Sequence, residues 1–331
     1  MISIRNECKD PHFNLALEEY VFYNFDPNED YVILWQNEPS VIIGRNQNTI
    51  EEINAKFIKD NNIHVVRRMS GGGAVYHDLG NLNFTFIVNS DQDVASNFKK
   101  FTAPIMAALS KLGVMAEFSG RNDITIDGRK FSGNAQHYSK NRLLHHGTIL
   151  FDSDLSVVQE ALNVKVDKLQ SKGVKSVRSR VTNVAPYLKD KITVEEFKDI
   201  LLKFLLDDEN YKEKEYILTP DDLAAVRELM EKKYPTWEWN YGESPAFEIE
   251  KSKRFDGGNL SLKFNVKDGY LNELKIYGDF FGKKDASEIE QLLKNQLYKD
   301  DVIRKLLLDI DNFNEYFSGI SVENFIECMF Y

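Results

Sequence analysis

The segment Arg67-Arg68-Met69-Ser70-Gly71-Gly72-Gly73-Ala74-Val75-Tyr76-His77-Asp78 punctuates this chain more sharply than any other. Two arginines close a short apolar run, Ile63–Val66, three consecutive glycines follow, and the chain then turns apolar again. Glycine reaches backbone angles closed to other residues and lets a ligand lie on the main chain. An adjacent arginine offers a planar fork suited to carboxylate or phosphate. The segment reads as a loop that wraps an anionic small molecule. The same residues also suit a solvated turn between two strands.

Outward from the loop, the pattern predicts a strand over 63–68 before it and a strand over 82–88 after it. In the latter, Leu82, Phe84, Phe86 and Val88 alternate with Asn83, Thr85 and Ile87. Upstream, Pro11–Phe25 reads as an amphipathic helix, 31–35 and 40–43 as strands divided by Glu38-Pro39, and 51–61 as a helix. Downstream come a helix over 98–112 closed by Gly113, and strands near 115–118, 123–126 and 144–151. Helices over 155–162, 193–206 and 220–234 follow. Turn residues after Trp237 and Trp239 mark a boundary, so residues 1–245 read as a mixed α/β body. Residues 246–331 read as a small α+β module with strands 247–255, 259–266 and 270–277, then helices. Lys267-Asp268-Gly269 joins the last two strands as a hairpin.

The chain has 331 residues, 42% of them hydrophobic, a net charge of −10 and two cysteines. That acidic balance argues against a nucleic-acid-coating protein. Cys8 and Cys328, near opposite ends, form no disulfide framework or metal-binding spacing and fit a reducing compartment. The first residues lack the apolar core of a signal peptide, and the apolar stretch near 200–206 is too short to span a membrane. A cytoplasmic, soluble protein without membrane or nucleic-acid partners is expected.

A second stretch, Gly120-Arg121-Asn122-Asp123-Ile124-Thr125-Ile126-Asp127-Gly128-Arg129-Lys130-Phe131-Ser132-Gly133-Asn134-Ala135, contains a two-residue hairpin turn at Asp127-Gly128. A regular hairpin sets Ile126 opposite Arg129, Thr125 opposite Lys130 and Asp123 opposite Ser132. Asp123, Thr125, Lys130 and Ser132 then share one face, while Ile124, Ile126 and Phe131 face the core. An aspartate can hold Mg²⁺, and a lysine can neutralise a carboxylate or phosphate as a point charge. An ordinary cross-strand charge pair is the plainer alternative.

Between Asn163 and Asn183 stand six cations, Lys165, Lys168, Lys172, Lys175, Arg178 and Arg180, against one acid, Asp167. This reads either as a solvated helix face or as a mobile basic loop that closes over a nucleotide. His145-His146-Gly147-Thr148 lacks a third ligand at zinc spacing and favours a hydrogen-bonded histidine instead. Neither a Walker sequence nor a dinucleotide fingerprint is present.

In this order the four stretches resemble the lipoate–protein ligase A family of bacteria, over essentially the whole chain. The segment from Arg67 to Asp78 with Gly80–Phe86, then Gly120–Asp123 with Lys130–Gly133, then His145–Thr148, then Ser176–Asn183, look like the family's signatures. Trp237–Gly242 resembles the segment before its C-terminal accessory domain. The resemblance implies a mixed β-sheet catalytic domain of the biotin/lipoate ligase type and an α+β accessory domain. The implied reaction joins lipoate to ATP, giving lipoyl-AMP and pyrophosphate. A lysine of an acceptor lipoyl domain, on glycine-cleavage H protein or a 2-oxoacid dehydrogenase E2 subunit, then takes the lipoyl group. By the same resemblance Lys130 is catalytic, and Arg68, Gly72, Gly73, His77, Lys130 and His146 bind lipoate. Arg68, Gly73, Ala74, Val75, Tyr76, Asn122, Lys130, Arg178 and Thr182 bind the nucleotide, and Asp123 holds Mg²⁺. The loop over 172–182 is expected to order over the adenylate, and the C-terminal module to move between half-reactions. An octanoyl or lipoyl transferase of the same superfamily, some of which use a cysteine, and a non-catalytic lipoate-binding protein are the alternatives.

Overall fold

The computed structural model describes residues 1–89, 98–119, 122–162, 181–213, 215–242, 247–278, 280, 282 and 284–331. Arg178, most of the basic stretch, Gly120-Arg121 and the expected boundary at 245/246 lie outside the described residues.

Contacts divide the described chain into two units, Met1–Gln47 with Asn61–Thr236, and Asn48–Asp60 with Trp237–Tyr331. The first is built on β1 (Ile2–Ile4), β2 (Tyr31–Trp35), β3 (Ser40–Ile43), β4 (His64–Arg67), β5 (Val75–His77), β6 (Asn81–Asn89), β7 (Glu117–Ser119), β8 (Asp123–Ile126), β9 (Arg129–Ser139) and β10 (Arg142–Leu150). Seven strands form one mixed sheet in the order β1-β2-β6-β10-β9-β8-β7, and three form a second, β4-β3-β5. In the large sheet β1 and β2 run parallel while β2, β6, β10, β9, β8 and β7 pair antiparallel.

The two faces of the large sheet differ in chemistry. Val32, Leu34, Leu82, Phe84, Phe86, Leu143, Ile149, Ile124, Ile126 and Phe131 form a core with Phe101, Ile105 and Leu109 of helix 98–111 and Phe197 and Leu201 of helix 194–206. Residues of opposite parity, Asn83 and Thr85 on β6 and His146 and Thr148 on β10, lie on the other face, because side chains alternate along a strand. That polar face is nonetheless enclosed. Asn83 is 2% exposed and Thr85 fully buried. Helix α1 (Pro11–Asn24) helps cover it: Glu18 accepts from Thr85 Oγ1 and from His146 Nδ1. Asp10 starts α1 by accepting from the backbone N–H of His12 at 2.8 Å, with Pro11 in the first turn.

The helix expected over 51–61 is two short ones, Thr49–Glu52 and Ala55–Asp60. Ile53 between them is extended, and the Asn54 side chain accepts from the N–H of Phe57, so a new helix starts there. The second unit adds β11 (Phe247–Phe255), β12 (Gly258–Lys267) and β13 (Tyr270–Gly278), an antiparallel meander. Leu260, Leu262 and Phe264 pack with Ile303, Leu307, Phe317 and Phe325 from the following helices and turn, an independent core. Among the described residues, no helix is long and apolar enough to cross a membrane.

Candidate active site

A cavity opens between the polar face of the large sheet and the glycine loop. Its wall carries Lys130, Asn122, Gly72–Val75, Arg68, His77 and His146, all singled out from sequence. Trp35 and Leu15 also line it and had no such signal, and Asn83 and Thr148 line it from within quoted signature stretches that gave them no role. Strand alternation explains one departure: Val75 and His77 face the cavity, and Tyr76 between them points the other way into buried packing.

Lys130 stands at the mouth. The β8–β9 turn has the expected form, with positive φ at both Asp127 and Gly128. Thr125 lies opposite Lys130 and Ile126 opposite Arg129. Asp123, however, pairs with Gly133 rather than Ser132, because a bulge between Ile124 and Thr125 inserts an extra residue on β9. Ser132 therefore leaves the Lys130 face and is fully buried. Lys130 Nζ and Asp123 Oδ1 still meet at 2.7 Å, both about one-third exposed (37% and 32%). The ammonium lies over Gly133, where a Cβ would come within 2.8 Å of Nζ. Thr182 donates its N–H to the Lys130 carbonyl at 2.9 Å, so the end of the basic stretch is tied to β9 beside the lysine.

The glycine loop is held from inside by Arg68, which is 5% exposed. Its Nε donates to Ser70 Oγ at 3.0 Å, Nη1 to the Ile42 carbonyl at 3.1 Å, and Nη2 to the carbonyls of Gly71 and Gly73 at 2.7 and 2.9 Å. The guanidinium thus spends four N–H groups, two on the loop backbone, one on the Ser70 hydroxyl and one on β3. Burial pushes its pKa down to about 10, which leaves it charged at neutral pH. Gly72 sits at φ +95°, in the left-handed region. Gly73 has nothing within 4 Å of where a Cβ would stand and no positive φ, so a side chain there enters the cavity without backbone strain. Gly73→Val should lower lipoate affinity at least tenfold while changing stability by no more than about 0.5 kcal/mol, as for an unstrained surface substitution. Titration calorimetry beside a denaturation curve checks this, and unchanged affinity counts against the loop as a ligand wall.

Ser70 Oγ lies 2.6 Å from His146 Nε2, and His146 Nδ1 lies 3.0 Å from Glu18 Oε1. A carboxylate oxygen only accepts, so Nδ1 of the ring carries a proton toward Glu18. The adjacent His145 lies on the opposite face, stacked on Phe101 at 5.0 Å. Consecutive strand residues point apart, so the pair cannot share a metal ion. Among the described residues no group of three or more His, Cys, Asp or Glu side chains is placed to hold one.

Burial pushes both His145 and His77 down to about 3, with His146 adding to both and Arg68 to His77. Their folded values lie below the ordinary 6.5, so the unfolded chain binds these protons first. Stability should hold above about pH 6.5 and fall as pH drops toward 3, with a slope approaching two protons from this pair. Denaturation midpoints across that range test it; a profile that did not steepen below 6.5 would contradict burial of two neutral rings.

Residues 10–206 match the family described as the Lipoyl protein ligase A/B catalytic domain, and 244–329 match the Bacterial lipoate protein ligase C-terminus. The chain belongs to the lipoate–protein ligase family. It is 49% identical to a lipoate–protein ligase of Bacillus subtilis over 332 residues, all of both chains. It is 46% identical to lipoate–protein ligase 1 of Staphylococcus aureus, covering 98% of each. Among solved structures it resembles a bipartite ligase of Thermoplasma acidophilum studied with its E2 lipoyl domain (TM-score 0.64, 31% identity, 73% of this chain and 95% of that one). A lipoate–protein ligase A with bound ATP gives 0.63 at 29% identity, covering 73% and 98%. The P. falciparum protein LipL1, in complex with lipoate, gives 0.61 at 27%, covering 98% and 97%. As a member of this ligase family the chain is an enzyme. Neither Cys8 nor Cys328 lies on the cavity wall; Cys328 is buried in the second unit against the Leu260 carbonyl.

Proposed function

We propose that this chain activates free lipoate with ATP in the cavity and passes the lipoyl group to a lysine of an acceptor lipoyl domain. In the first step a lipoate carboxylate oxygen bonds to the α-phosphorus of ATP while the bond to the bridging oxygen of the β-phosphate breaks. Lipoyl-AMP forms and pyrophosphate leaves. In the second step a neutral lysine amine attacks the acyl carbon. The bond to AMP breaks, the nitrogen loses a proton, and an amide remains. The observation that carries this reading is Lys130: an ammonium at the mouth of the pocket, where two anions must approach each other. A fixed positive charge there opposes their repulsion most strongly as the new bond forms.

Gly73, Ala74 and Val75 present backbone to the nucleotide, and Asn122, fixed by its bond to the Asn134 carbonyl at 2.7 Å, stands beside Lys130. Thr182 and Arg178 belong with the nucleotide in this reading, and Arg68 serves both substrates by shaping the loop. Gly72, His77 and His146 line the inward course of the lipoate chain. Asp123 fits the single protein carboxylate that Mg²⁺ needs when its remaining ligands are phosphate oxygens and water. When bound, that ion supplies further charge neutralisation on the phosphates. Residues 1–245 act as the catalytic part and 246–331 as an accessory domain. Bound ATP and lipoate in relatives, and the lipoyl domain studied with the archaeal one, support these substrates and this acceptor class. An E2 subunit or H protein in the cytoplasm is the acceptor. Incubating the chain with lipoate, ATP, Mg²⁺ and a lipoyl domain should add one lipoyl mass to a single acceptor lysine. An acceptor that stays unmodified, or that is modified without ATP, contradicts the proposal.

A further inference from the structure

Two buried nitrogens on the cavity wall have no hydrogen-bond partner among the described residues: Nε2 of His77 and Nδ2 of Asn83. Both residues are almost fully enclosed, 3% and 2% exposed. Their other contacts fix what these nitrogens offer. Asn6 donates to Oδ1 of Asn14 at 2.8 Å, and Asn14 donates to Oδ1 of Asn37 at 2.9 Å. That leaves the amide nitrogen of Asn37 facing Nδ1 of His77 at 3.1 Å. An amide nitrogen only donates, so Nδ1 accepts, and the neutral ring carries its proton on Nε2. Asn81 donates to Oδ1 of Asn83 at 2.9 Å, so the amide N–H₂ is the end of Asn83 left over. The cavity wall therefore holds two oriented donors, each unfavourable to bury unpaired.

Their distance from the lysine is set by the sheet. Lys130 Nζ lies over Gly133, whose N–H reaches Thr148 Oγ1 on β10. Thr148 stands opposite Asn83 on β6, and Asn83 opposite Trp35 on β2. From Gly133 to Asn83 is two strand spacings, about 10 Å. His77 borders the same spot, its ring 6.1 Å from that of Trp35. A carboxylic acid held by its carboxylate at Lys130, with a five-carbon chain and a small ring, has the length to place the ring there.

We propose that His77 and Asn83, beside Trp35, make the inner end of the pocket selective for a terminus that carries lone pairs. The sulfur-bearing ring of lipoate supplies lone pairs there, and the plain alkyl end of octanoate, an acid of the same chain length, does not. This rests on reading the cavity as the lipoate site. Divalent sulfur is a weak acceptor and packs well on aromatic rings. An alkyl end occupies the same space but leaves both donors unpaired, and sites built on such donors discriminate against analogues that lack the acceptor. Asn37 is a positioning residue: it holds the imidazole in the donating tautomer.

Calorimetric titration of the full chain with lipoate and with octanoate should show a preference for lipoate of about tenfold. Asn83→Leu, which keeps the branched outline and replaces the amide with methyl groups, should shrink that ratio by weakening lipoate and strengthening octanoate. A merely structural defect weakens both acids alike. The native chain gives a second reading without substitution. With ¹⁵N-labelled histidine, His77 should appear as the Nε2-protonated tautomer, and its Nε2 resonance should move with lipoate far more than with octanoate. Equal affinities in the native chain, or a His77 resonance that responds identically to both acids, overturns the inference while leaving the lipoate site intact. Failure of both acids to bind the native chain would remove the lipoate reading and this inference with it.

Discussion

Lys130→Ala is expected to lower lipoate-dependent pyrophosphate release by roughly 10²–10³-fold, the scale on which a fixed group stabilising transition-state charge acts. Its fold should survive. The Lys130–Asp123 contact joins two side chains each about one-third exposed, and such pairs contribute about 0–1 kcal/mol. The backbone bond from Thr182 does not involve the side chain. A melting curve close to native with the chemistry gone is the outcome that assigns the lysine to the reaction. Near-normal pyrophosphate release by the variant would sink that assignment.

Arg68→Met should lose both stability and binding, and binding more. The methionine fills part of the space but leaves Ser70 and the carbonyls of Ile42, Gly71 and Gly73 without their donor. Gly71 and Gly73 lie near the surface and can take up water, so the stability loss is limited to about 2–4 kcal/mol. The loop itself is then unanchored, and displacing a binding element by an ångström costs on the order of 10²-fold. Arg68→Lys should rescue little, since one ammonium cannot bridge carbonyls that the planar fork spans. Lipoate affinity beside a urea midpoint separates the two effects. Native affinity in a destabilised Arg68→Met would show that the arginine serves the fold alone.

Much of this arrangement is legible in the sequence because it rests on local rules. The Asp127-Gly128 turn brings Lys130 and Asp123 together, and the alternation of β6 and the helix beginning at Pro11 follow from pattern and turn chemistry. The bulge that moves Ser132 is not legible, because a single inserted residue leaves no mark in a regular alternation. Asn83 and Thr85 read as the solvated side of a strand; only a long-range covering element, α1 carrying Glu18, turns that side into a pocket floor. Arg68, beside the glycines, reads as a group that meets carboxylate or phosphate. Its burial under β3 depends on strand pairing 26 residues away, at Ile42. The helix expected over 51–61 reads as part of the first body, and the grouping of 48–60 with residues from 237 onward is tertiary information.

The account turns on the cavity joining lipoate to ATP before any acceptor arrives. The direct measurement is a quenched single-turnover mixture of the chain, lipoate, ATP and Mg²⁺ without acceptor, analysed for pyrophosphate and for enzyme-bound lipoyl-AMP. Near-stoichiometric amounts of both, in the presence of lipoate and in its absence neither, is the predicted result. Pyrophosphate without lipoate, or bound lipoate and ATP that never react, would contradict it.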